Sequence, residues 1–114
     1  MKYILLINTD PTQWSADPKD LEAMHAEYMS FTQSILDSGE MVGGDQVAGA
    51  DTATTVRVRD GRVTTTDGPF AETKEVLGGY YLVDVKDLDR AIELAGQIPG
   101  ARGGCVEVRP IVEM

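Results

Sequence analysis

The six residues Tyr80–Val85, YYLVDV, are apolar at both parities of a strand. Successive strand side chains point to opposite faces of a sheet, so this strand needs cover on two sides. The run Tyr3–Ile7, ended by Asn8-Thr9-Asp10-Pro11, makes the same demand near the N-terminus. Two helical stretches supply cover. In the first, Asp17 is placed to cap and Pro18 to start the helix. Leu21, Met24, Tyr28, Phe31 and Ile35 then form one apolar stripe, and Gly39 stops it. In the second, Asp87 caps, Leu88, Ala91, Ile92 and Ala95 share a face, and Pro99-Gly100 closes the helix. Two helices can cover one face of a sheet. The other face is expected to pack against a second copy of the chain, sheet to sheet, in a homodimer.

The remaining elements fall into place around these. Glu40–Val47 holds a short strand weakened by Gly43 and Gly44, and Gly49–Ala53 is a loop. Thr54–Arg59 and Arg62–Thr66 flank Asp60-Gly61, a strong hairpin signal. Cys105–Val112 is the last strand, with Val106 and Val108 on one face and Glu107 and Arg109 on the other. The order β-α-β-(hairpin)-β-α-β describes an α+β two-layer sandwich of the ferredoxin-like kind, in one domain spanning residues 1–114.

Charge narrows the partners. Nineteen acidic residues face ten basic ones, for a net charge of −9. The arginines are scattered among acids, so no basic patch offers itself to phosphates, and neither nucleic acid nor an anionic membrane surface is an expected partner. The apolar run in MKYILLINTD is too short for a secretory leader or a membrane span, and the expected location is the cytoplasm. Cys105 is the only cysteine and is read as a small, buried or half-buried strand residue. One histidine and one cysteine leave only an all-carboxylate metal site, to which no spacing points. Gly43-Gly44 and Gly78-Gly79 lack the flanks of a phosphate loop, so no cofactor is expected.

The run Asp67–Gly79, DGPFAETKEVLGG, places a turn-forming Asp-Gly-Pro, one aromatic and four charged residues between strands. It has no apolar periodicity and reads as a surface loop of the kind that carries function. The segment RVTTTDGPFAETKEVLGGYYLVDV, the capped helix after it and GGCVEVRPIVEM together resemble the YCII-related family, in particular its DGPF branch, over nearly the whole chain. The resemblance implies the fold of a dimeric α+β barrel. It also implies two kinds of function. Some relatives are small enzymes that act on muconate-type or lactone-like acids through a His–Asp pair. Others are linked to extracytoplasmic-function sigma factors, in a regulatory or accessory role.

Several residues are candidates for a site. Asp67 is a general acid/base or a ligand-orienting carboxylate, or else a turn residue bonding amides two positions on. His25 is the only imidazole and lies at the edge of the first helix's apolar stripe. The relatives' pair would fall here on His25 with Asp67 or Glu72. Glu72, Lys74 and Glu75 form either a solvated ion-pair cluster or a mixed-charge pocket in which Lys74 anchors a carboxylate. Phe70 plugs the loop onto the core or stacks on a ligand. Arg57 and Arg109 clamp an acid, or pair with Glu107 or Asp84. Two functions follow: an acid/base lyase or isomerase acting without cofactor on a small acidic or carbonyl metabolite, or a non-catalytic ligand-binding or regulatory module. A purely structural role for the loop is the third reading.

Overall fold

The computed structural model describes residues 1–114. Along the chain run β1 (Lys2–Thr9), α1 (Pro18–Asp37), β2 (Met41–Gln46), β3 (Thr54–Arg59), β4 (Arg62–Asp67), β5 (Val76–Asp84), α2 (Leu88–Gln97) and β6 (Cys105–Pro110). One sheet has the order β2-β5-β1-β6, with every neighbour antiparallel; β3 and β4 pair only with each other. This is the expected ferredoxin-like topology with a hairpin inserted between its second and third strands.

Local chemistry sets the helix ends as expected. Asp17 accepts a hydrogen bond from the Lys19 amide at 2.9 Å, with Pro18 in the first helical position. Gly39, at φ +79°, ends the segment, and Asp87 accepts from the Arg90 amide at 2.9 Å. The core lies on one face of the sheet. Tyr3, Leu5 and Ile7 of β1, Tyr81 and Val83 of β5, Phe31 and Ile35 of α1, and Ala91, Leu94 and Ala95 of α2 are its main members. Register aligns Leu5 with Tyr81 on one side and Val108 on the other, so these side chains share the helix-covered face. Phe31 meets Tyr81 edge to face with ring centres 5.1 Å apart. Ile4, Leu6, Tyr80 and Leu82 point to the other face and stay half-buried, with no layer over them in the chain.

Two helical stripes differ from the expectation. In α2 the buried face is Ala91, Leu94 and Ala95, continued by Ile98, whereas Leu88 and Ile92 are about half exposed. The spacing 91, 94, 95, 98 is as good a helical face, and it seats the larger Leu94 and Ile98 against the sheet. In α1 only the second half is buried: Phe31 and Ile35 are covered, while Leu21 and Met24 lie open.

The loop is shorter than the sequence suggests. Asp67 ends β4 and Val76 starts β5, which leaves residues 68–75. Gly78 and Gly79 belong to the strand. A Cβ on Gly79 would lie 3.0 Å from the Asp45 carbonyl oxygen, and one on Gly44 would lie 2.7 Å from that of Tyr80. Gly44 of β2 and Gly79 of β5 are therefore what let the two strands approach. A polar latch fixes α2 to the start of β2: the Arg90 guanidinium donates to both Glu40 oxygens at 2.9 and 2.8 Å. The molecule is flat, 47 × 44 × 18 Å. Its radius of gyration is 16.0 Å, against about 13 Å for a compact chain of this length. The uncovered sheet face and the projecting hairpin account for the shape.

Candidate functional site

β1 runs through the middle of the sheet and stops at Thr9, and Asp10 then caps a short 3-10 turn over Pro11–Gln13. The Asp10 Oδ1 accepts from the Thr12 amide at 2.9 Å and from the Thr12 hydroxyl at 2.7 Å. Asp10 is 6% exposed and is the chain's only buried charged residue. Its Oδ2 is sealed from solvent and meets no hydrogen-bond donor. A buried carboxylate oxygen without a partner is costly, and native structures rarely leave one without a reason. The Thr12 hydroxyl and amide hold the Asp10 carboxyl below the usual carboxylate range; burial works against them and the Lys74 charge works with them.

Asp10 lines an open groove at this end of the sheet, together with Asn8, Lys74, Glu75, Cys105 and Glu107. Three elements build it. Asn8 of β1 and Cys105 of β6 stand opposite each other in the ladder. Glu107 follows two residues on, hence on the same face. Lys74 and Glu75 come from the segment that leads into β5. The Asn8 amide is held by the Leu6 carbonyl at 3.2 Å. Cys105 is exposed, not buried as expected, because its side chain faces this groove and not the core. Its thiol approaches a Glu75 oxygen at 3.6 Å, and partial desolvation together with the Glu75 charge pushes its pKa up. It is therefore a neutral thiol, the opposite of an activated nucleophile.

Of the residues singled out in the sequence for a site, Lys74 and Glu75 line this groove. Asp67, Glu72, Phe70, Arg57 and His25 do not. Asp67 is exposed at the end of β4, and the turn that follows does not use its carboxylate. Gly68 does the work instead: its amide donates to the Ala53 carbonyl at 2.7 Å, its own carbonyl accepts from the Thr55 hydroxyl at 2.7 Å, and its φ is +98°. Phe70 is 83% exposed, so it does not plug the loop onto the core. His25 lies exposed on the open half of α1, hydrogen-bonded to neither Asp67 nor Glu72. No ion pair joins Glu72, Lys74 and Glu75. Arg109 pairs with Glu107 at 2.7 Å, while Asp84 takes the N-terminal ammonium at 2.9 Å. Arg57 stands exposed on β3.

Asp10, Asn8 and Cys105 are the groove residues that the sequence reading missed. Asp10-Pro11-Thr12 does carry a signal, an acidic cap before a proline, but it marks a turn and says nothing about burial.

Comparison with known proteins agrees with this architecture. The model of the YCII-related domain matches residues 1–114. An uncharacterized protein of Rhizobium meliloti (strain 1021) is 33% identical over 114 residues, covering 97% of this chain and 92% of that one. Among solved structures, 5-chloro-2-hydroxyhydroquinone dehydrochlorinase (TftG) from Burkholderia phenoliruptrix AC1100, in complex with 2,5-dihydroxybenzoquinone, superposes with a TM-score of 0.58. That likeness covers 100% of this chain and 96% of TftG at 11% identity, and it speaks to the fold. No helix is long and apolar enough to cross a membrane. With the family model spanning the sheet, both helices and the groove-forming segments alike, the chain belongs to the YCII-related family.

Proposed function

We propose that this protein is a small-molecule lyase or isomerase that works by acid–base chemistry without a cofactor, and that its site is the Asp10 groove. The observation that carries the reading is the buried Asp10 carboxylate, with one oxygen oriented by Thr12 and the other left without a donor, beside Lys74. A ligand that brings a hydrogen-bond donor or an acidic proton completes the unpartnered oxygen. In the reaction, Asp10 Oδ2, which a turn of the side chain must first bring from its sealed position to the groove, takes a proton from carbon next to a carbonyl, or from an enolic hydroxyl. The electron pair moves onto the carbonyl oxygen, which the Lys74 ammonium stabilises. An isomerase then returns the proton to another carbon, whereas in a lyase the pair expels a β leaving group. A carboxylate held below its usual pKa is a weak base in the empty groove, which favours substrates whose proton is already acidic. Filling the groove desolvates the carboxylate and strengthens it. TftG, with its dihydroxybenzoquinone, makes hydroxyquinones reasonable first probes alongside carbonyl acids and lactones.

The experiment is deuterium wash-in. Candidate carbonyl acids, lactones and 2,5-dihydroxybenzoquinone are incubated with the protein in heavy water and followed by NMR. Exchange catalysed by the wild type and abolished in Asp10→Asn supports the reading. Exchange that survives Asp10→Asn but not Asp67→Asn or His25→Ala moves the chemistry to the pair suggested by the sequence. The depressed pKa of Asp10 favours a second reading as well, since a carboxylate kept ionised is suited to holding a donor. Binding without exchange or turnover would assign the protein to the ligand-sensing or regulatory class. In either case we propose a DGPF-branch member acting as a cytoplasmic homodimer, joined through the half-buried sheet face.

A further inference from the structure

We infer that the β3–β4 hairpin is an arm that docks on a second copy of this chain with its valine face inward; this rests on the proposed homodimer and extends its interface beyond the sheets. Register divides the hairpin cleanly. Val56 lies opposite Thr65 and Val58 opposite Val63, so the three valines share one face. They are 59%, 57% and 69% exposed. Arg57, Arg59 and Arg62 share the other face, and Arg59 lies directly opposite Arg62. Like charges across a strand pair are destabilising, and none of these arginines has an acidic partner in the chain. Apart from Thr55, every residue of both strands is exposed. An isolated two-stranded hairpin is marginal in water, and this one is tied to its own chain through its foot, where Gly68 bonds Ala53 and Thr55. Both of its faces therefore lack what would stabilise them.

Charge selects the occupant. Three of the ten basic residues stand in this hairpin, against two of the nineteen acidic ones. The rest of the chain is correspondingly acidic, and its sheet offers an uncovered face bearing Ile4, Leu6, Tyr80 and Leu82. A second copy thus offers the valines the part of that face which its own sheet leaves open, and its acidic charge draws in an arm whose arginines face away from the contact. A polyanion does not fit, because the whole chain at −9 repels it. The arm is about 20 Å long and by itself falls short of the ~800 Å² per partner of a stable interface, so it reinforces a sheet-to-sheet contact and does not replace it.

Sedimentation equilibrium tests this on the wild type, on the triple variant Val56→Lys/Val58→Lys/Val63→Lys, and on Arg59→Glu/Arg62→Glu, with circular dichroism confirming that each is folded. The wild type is expected to dimerise. The valine triple should raise the dissociation constant by about 100-fold or more, as for hot-spot residues, and the arginine pair should raise it less and make it less salt-dependent. A dimer whose constant is unchanged in both variants overturns the arm while leaving the sheet-to-sheet dimer standing. A monomeric wild type overturns both, and the arm then belongs to a different protein. If the valine triple does not fold, the arginine pair decides alone.

Discussion

Asp67 and Asp10 are the two carboxylates that a reader of this chain would weigh against each other, and they differ in almost every physical respect. Asp67 heads the most distinctive motif in the sequence, yet its side chain is exposed and takes no part in the turn it introduces. Asp10 looks in sequence like the end of a strand, yet it is buried at the edge of a groove, oriented by two hydrogen bonds and left with one sealed oxygen unsatisfied. Glu40 makes a third reference point: both of its oxygens are taken by Arg90, and the guanidinium holds its pKa down to about 2. A carboxylate with every oxygen paired is structural, and one facing bulk water contributes little by itself. The intermediate case, buried and half-satisfied, is the one on which the proposed function rests.

The largest effect should come from Asp10. Asp10→Asn keeps the shape and removes the charge, and it is expected to reduce turnover of an identified substrate by about 100-fold or more, as for loss of a general base. Steady-state kinetics would show this in kcat, with circular dichroism unchanged. Next comes Lys74→Met, for which we expect a loss of about tenfold, roughly one oxyanion-stabilising contact at a solvent-open site. The same variant removes one of the influences that lower the Asp10 pKa, so the acid limb of the pH–rate profile should move upward. In the wild type that limb, read in kcat/KM and so for the empty groove, lies below 3.8, the ordinary value for this group, and kcat/KM should not titrate between about pH 5 and 7 on account of Asp10.

Stability separates the other two carboxylates. Gly68→Ala forces a side chain onto φ +98° at the foot of the hairpin; it should cost about 1 kcal/mol, read as a fall in melting temperature. Glu40→Gln should cost about 1 kcal/mol or less, a charged hydrogen bond discounted for its partly solvated site. The sign of its pH dependence follows from the depressed pKa. The Glu40 contribution is full above its ordinary value of 4.5 and is lost as pH falls toward about 2. Wild type and Glu40→Gln should therefore differ at neutral pH and converge in acid. The smallest effect is reserved for Asp67→Asn, which should shift stability by less than about 0.5 kcal/mol, as expected for an exposed residue with no partner. A drop comparable to that of Gly68→Ala would show that its carboxylate holds the turn after all.

These contrasts mark where the sequence is legible. The order of elements along the chain, the hairpin at Asp60-Gly61 and the helix caps at Asp17 and Asp87 follow from local patterns, and the structure carries each of them. In α2 two helical faces share Ala91 and Ala95, and only packing against the sheet chooses Leu94 over Leu88. Burial of Asp10 depends on long-range pairing, since β6 and the segment before β5 must arrive beside β1 before the groove exists. The exposure of Cys105 is hidden for the same reason: alternation along β6 assigns it a face, but not whether that face is covered. The motif at Asp67 is readable as chemistry, yet its structural content lies in Gly68.

The most direct test of the account is a thermal-shift comparison of wild type, Asp10→Asn and Asp67→Asn against small carbonyl acids, lactones and hydroxyquinones, since a ligand raises the melting temperature by mass action. The expected result is a ligand that stabilises wild type and Asp67→Asn alike and has no effect on Asp10→Asn. A ligand that still stabilises Asp10→Asn but is lost on Asp67→Asn would contradict it and move the site to the foot of the hairpin.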